Sequence, residues 1–138
     1  MFDLTSLIEK ITTDTGYVCV EDEFVIGDVN TKENNPVTVY CDYASVLTIN
    51  EQEAINDVAN EVDTSLMMYT SVVIDAPVSA YPEVFIDVYA ACQYFKPYSP
   101  IPNIRPLTFS NADFKRVGKR RIALLLFGYT YDRYLSQV

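Results

Sequence analysis

The side chains in this sequence that could do chemistry are its carboxylates, three cysteines and one cluster of bases. Among 138 residues there is no histidine. That removes the commonest general base and the commonest zinc ligand, and with them every Ser-His-Asp or Cys-His arrangement. The cysteines are Cys19, Cys41 and Cys92. Three is an odd number and no C-x-x-C spacing occurs, so neither a zinc knuckle nor a dithiol redox motif is present. Each lies in an apolar stretch (YVCV, VYCDY, YAACQYF), which reads as three small buried hydrophobes in a reducing compartment. A nucleophilic cysteine needs a neighbouring cation to hold its thiolate, and none adjoins these in sequence.

The carboxylates offer little more. Asp28-Val29-Asn30-Thr31-Lys32-Glu33 begins like a calcium loop. It then puts Lys32 at a ligand position, Glu33 where glycine is required, and Val39 in place of the bidentate acid. Glu21-Asp22-Glu23 is consecutive, whereas metal sites need carboxylates that converge, so a solvated strand end is the better reading. Asp42 and Asp75 sit at strand positions and are the acids a small enzyme would bring into a cleft; they equally mark a polar sheet face or a strand end. No phosphate-binding glycine motif occurs, and the four glycines are scattered. The expectation is therefore no catalytic residue, no cofactor and no metal.

The basic cluster is the strongest charged feature. Lys115, Arg116, Lys119, Arg120 and Arg121 fall within seven residues. Residues 1–87 hold 17 acids against Lys10 and Lys32, while residues 88–138 hold eight bases against Asp113 and Asp132. Charge so segregated either gives an acidic side and a basic side when folded, so that two copies can attract head to tail, or cancels where the two halves interleave in space. A basic hairpin could also follow nucleic-acid phosphates, but the net charge of −9 repels a polyanion at distance. Docking on an acidic protein, another copy included, is the favoured reading. The eleven tyrosines combine an apolar ring with a polar tip, which suits protein interfaces and equally suits half-buried sheet faces; Tyr129 and Tyr131 on the last strand join the bases as candidate interface residues.

These residues must be positioned by a single domain covering 1–138, large enough for a core without staples. No apolar run approaches the roughly 20 residues that span a bilayer, and the start MFDLTSLIEK lacks the basic region of a secretory signal. Leu4, Leu7, Ile8 and Ile11 predict an amphipathic helix over 2–12, with Asp3 as its cap and Gly16 as its stop. Short strands are expected at 17–20 and 23–26, and a strong one over 37–47 with Val37, Val39, Cys41 and Tyr43 on one face. Asn50 followed by Glu53, then Ala54, Ile55, Val58, Ala59 and Val62, predicts a short helix over 51–61, with an ordered excursion as the alternative. Residues 65–75 predict a strand. Ser79 caps a helix running to Phe95, buried along Tyr81, Val84, Phe85, Val88, Cys92 and Phe95 and stopped by Pro97. KPYSPIPNIRP is extended, 104–114 is a strand, Val117-Gly118 is a turn, and 120–135 is a long strand with a bulge at Gly128. The class is α+β, a mainly antiparallel sheet with one or two helices on one face and a long C-terminal β-hairpin.

The element order resembles that of tail terminators and related neck proteins at the head-to-tail joint of tailed bacteriophages. The resemblance rests on the helix Leu4 to Ile11, the strand following Pro36-Val37-Thr38-Val39-Tyr40, the strand Leu66 to Asp75, the helix Ala80 to Phe95 and the aromatic strand Ile122 to Tyr134. It spans nearly the whole chain, with 51–61 and 97–106 as departures. It implies a structural subunit of the virion with no enzymatic activity. Its copies form a ring, a hexamer or dodecamer, that caps the tail tube and meets the neck or connector proteins. DNA passes through the lumen without specific binding, and no membrane is involved. The competing classes are a small acidic enzyme or ligand-binding domain, which needs a concave polar pocket, and a nucleic-acid-binding protein using the 115–121 hairpin, whose affinity would fall steeply with salt.

Overall fold

The computed structural model describes residues 4–24, 36–56, 61–96 and 106–136. Two helices, α1 (Leu4–Thr15) and α2 (Tyr81–Cys92), accompany five strands: β1 (Val18–Glu21), β2 (Thr38–Asn56), β3 (Glu61–Pro77), β4 (Thr108–Val117) and β5 (Arg120–Ser136). The strands form one sheet in the order β1-β2-β3-β5-β4. Every pairing is antiparallel except β1 with β2, which run parallel. The expected α+β class, with its C-terminal hairpin, is the observed one.

Alternation along the strands explains how the sheet meets the helices. Val39 and Cys41 on β2, Val72, Ile74 and Ala76 on β3, and Ala123, Leu125, Phe127 and Tyr129 on β5 share one face and are buried. The helices supply Leu4, Leu7 and Ile11 from α1 and Val84, Val88, Ala91 and Cys92 from α2. Both helical stripes are the predicted ones, spaced by three and four residues. Gly16 ends α1 at φ 74°, a left-handed backbone that suits glycine, with its N–H donating to Thr12 O at 2.9 Å. An aromatic row then seats α2 on the hairpin. Tyr81, Phe85 and Tyr89 recur every four residues; Phe85 lies 5.8 Å from Phe114, and Tyr89 lies 5.4 Å from Phe109.

Phe109 and Phe114 have opposite parity in sequence yet share this face. A register shift on β4 between Phe109 and Asn111 is what brings them together. The bulge was expected at Gly128, but β5 pairs with β3 without interruption from Ser136 to Arg120. A strand held on both sides has little freedom to bulge, and the irregularity falls on its β4 neighbour instead.

Other expectations are corrected. The predicted helix over 51–61 is strand at both described ends: Glu51 pairs with Thr64, Ile55 with Val62 and Asn56 with Glu61. Residues 57–60 lie outside the described residues. The helical spacing of Ala54 and Ile55 is overridden by pairing with β3, which is irregular between Gln52 and Ile55 and resumes at Ile55. Ser79 is not the cap of α2; Ala80 holds that position with no side-chain cap, and a proline occupies the first turn as expected. Residues 22–24 continue β1 without being strand, and 25–26, Asp3, the 28–33 run and most of the proline-rich segment lie outside the described residues.

Strands β3 and β5 run for 17 residues each, about 55 Å at the usual rise. The β1 ladder ends at Cys41 and the β4 ladder at Gly128. Beyond those rows the described sheet narrows to β2, β3 and β5, a three-stranded tongue leaving the helix-covered body.

Candidate functional site

The predicted interface bases divide into two groups once folded. Lys115, Arg116 and Lys119 are exposed around the β4–β5 turn, where Gly118 takes φ 59°. Arg120 points the other way. It is 1% exposed; its Nε donates to Asp75 Oδ1 at 2.8 Å, and its Nη2 donates to Asp75 O at 3.1 Å and to Pro36 O at 3.0 Å. Arg120 therefore ties the start of β2, the end of β3 and the start of β5 together, and the expectation that it faces a partner is corrected. Arg121 is half-buried, its guanidinium 5.2 Å from the centre of the Tyr81 ring and its Nε buried without a hydrogen-bond partner. Tyr129, expected at an interface, is core; burial, with Tyr43 nearby, pushes its phenol up to about 12. Tyr131 lies on the tongue, opposite Leu66.

Asp75, a candidate enzymatic acid, is thus the counter-ion of a structural arginine. Asp42 has a different setting. On the sheet face opposite the helices, Tyr40, Val73, Leu124 and Asp113 lie in one cross-strand row, and Asp42, Ser71, Leu126 and Asn111 in the next. Among the described residues no helix covers this face. Phe24 lies against Tyr40, ring centres 5.4 Å apart, and helps wall an open groove of about 380 Å³. Its floor is Val73, Leu124 and Leu126. Asp22 and Glu23 stand at one side, Asp42 within it and Asp113 at the other. Burial, then the charges of Asp75 and Asp22, raises the Tyr40 phenol above its ordinary range.

Sequence reasoning missed this groove because its acids come from three separate segments, and only the sheet order brings 22–23, 42 and 113 to one face. Among the described residues no group of His, Cys, Asp or Glu converges as a metal site. The groove offers an apolar floor and negative walls, which suits a ligand with cationic tips on an apolar stem.

The cysteines come together more than expected. Parallel pairing sets Cys19 beside β2, and its sulfur lies 3.5 Å from that of Cys41. The shared hydrogen bond lowers the Cys19 thiol and raises that of Cys41, which burial raises further; burial also raises Cys92.

No protein-family model and no curated protein matches this chain. Among the described residues no helix is long and apolar enough to cross a membrane.

Proposed function

We propose that this protein is a ring-forming structural subunit of a phage tail terminator or neck. In this reading it caps the tail tube and meets the head connector, and it is assembled in the host cytoplasm. The observation that carries the reading is the combination of a helix-backed sheet with a three-stranded tongue. The paired strands run on well past the rows that the helices and β1 and β4 cover, and such a projection becomes stable by lying against a neighbour. The separation of Arg116, on the helix side of β4, and Lys119, at the turn, from the acids of the helix-free face supports the reading by giving each subunit two unlike surfaces. Unlike surfaces joined head to tail close into a ring when the rotation permits. A mostly acidic chain lets DNA slide through the lumen rather than adhere.

Negative-stain imaging of the purified protein tests this. Annular particles with a central hole are the expected result. Compact particles without a hole at every concentration would count against it. A DNA titration complements the images: the ring reading expects weak, sequence-independent binding, and tight binding that collapses with salt would favour a nucleic-acid-binding protein.

A further inference from the structure

We infer that the acidic groove on the helix-free sheet face is the seat for the basic β4–β5 hairpin tip of a second copy of this chain. The inference rests on the self-assembly part of the reading above and names the surface that performs it.

Charge complementarity commits the groove to this occupant. Its walls carry Asp22, Glu23, Asp42 and Asp113 over an apolar floor. Asp22, Asp42 and Asp113 each accept the N–H of the next residue through Oδ1 at 2.8–3.0 Å, which fixes each carboxylate at the groove. The hairpin tip presents Arg116 and Lys119, both exposed, at a two-residue turn; Arg116 Nε donates to Gly118 O at 3.0 Å, which leaves its Nη groups for a partner. The long apolar stems of these two side chains match the floor and their charged ends match the walls. Lys115 shares the groove's face, two residues along β4 from Asp113, but Arg116, on the helix side of β4, and Lys119, at the turn, do not face their own groove. Pairing of β4 with β5 is regular from Asn111 to Val117, so the hairpin continues the plane of its sheet and cannot double back onto its face. Contact of Arg116 and Lys119 with a groove must therefore be intermolecular. It also hides Leu124 and Leu126, which the groove otherwise leaves open to solvent.

Reciprocal charge reversal tests the inference. The groove variant carries Asp42→Lys with Asp113→Lys; the tip variant carries Arg116→Glu and Lys119→Glu. Circular dichroism and urea unfolding establish that each is folded. Sedimentation then reads assembly. Each variant alone should assemble at least about tenfold more weakly than the unaltered protein, because like charges face each other. An equimolar mixture should recover, since the unaltered tip of the groove variant fits the unaltered groove of the tip variant, and the two altered surfaces also match. A chain carrying all four substitutions should recover as well. If the unaltered protein assembles and neither variant is weakened, or if the mixture does not recover, this inference is overturned and the ring reading stands. If the unaltered protein stays monomeric at high micromolar concentration, both fall.

Discussion

Arg120 and Asp75 form a buried ion pair 2.8 Å long, in which the guanidinium also holds backbone carbonyls of Asp75 and Pro36. The pair joins three strands at the end of the sheet nearest the hairpin turn. A buried charge costs several kcal/mol to desolvate, and removing one partner leaves that cost unopposed on the other.

Arg120→Met is therefore expected to destabilise the fold by about 3–5 kcal/mol. Asp75→Leu combined with Arg120→Met should cost less than Arg120→Met alone, because no unpaired charge remains. Urea midpoints of the two variants check this. Lys119→Ala, one residue away but exposed, should move the midpoint by no more than about 0.5 kcal/mol. A loss of assembly in an Arg120 variant would consequently report a damaged subunit rather than a damaged interface.

Tyr94 follows α2 at φ 63°, a left-handed conformation that a ring-bearing side chain enters at a cost. Its side chain is 75% exposed, so little packing opposes its removal. Tyr94→Gly should raise stability by about 0.5–1 kcal/mol, the relief of strain less the added freedom of glycine in the unfolded chain. Thermal unfolding measures it. A drop in stability would show that the exposed ring makes a contact worth more than the strain.

Cys19 and Cys41 should be joined by a mild thiol oxidant such as diamide, the two thiols giving up their hydrogens to the reagent as one sulfur–sulfur bond forms. Non-reducing peptide mapping should find this bridge and leave Cys92, buried and with its thiol raised, as the free cysteine. Alkylation of the folded protein should reach Cys19 first, since it is the most exposed of the three and the one whose thiol is lowered. Bridges to Cys92 instead would contradict the parallel placement of β1 beside β2.

Alkaline pH should weaken the fold. Burial raises the phenols of Tyr17, Tyr40, Tyr81 and Tyr129, that of Tyr129 to about 12. A group whose folded value lies above its unfolded value near 10 keeps its full contribution below pH 10, and loses it as the pH rises through the folded value. Stability should be flat from neutral pH to about 8, begin to fall as the unfolded-state thiols of Cys41 and Cys92 ionise above about 8.5, and fall further between about 10 and 12 as the phenols follow. Urea midpoints against pH, with absorbance of the phenolates, check the sign. A rise in stability over that window would contradict it.

Local pattern announced most of the fold and little of the site. The stripes of Leu4, Leu7 and Ile11 and of Val84, Val88 and Cys92 are legible because a helix face depends on residues three and four apart. Strand β2 past Tyr43 was read partly as a helix because its spacing satisfies that period too, and only the partner strand 61–68 decides against it. Arg120 looked like part of a basic surface because the residue that claims it lies 45 positions away. Phe109 and Phe114 share a face only through a bulge that neither residue signals. The acidic groove is a product of strand order, with walls drawn from 22–23, 42 and 113, and no local window contains all three.

The claim that copies of this chain close into a ring is tested most directly by the mass of the unaltered protein in solution. Light scattering on the eluting chromatographic peak, in low salt and then in high salt, is the measurement. The account predicts a single species at the mass of a hexamer or dodecamer that shifts toward smaller species as salt screens the tip and groove charges. A monomer of 15.7 kDa at every concentration and salt would contradict it.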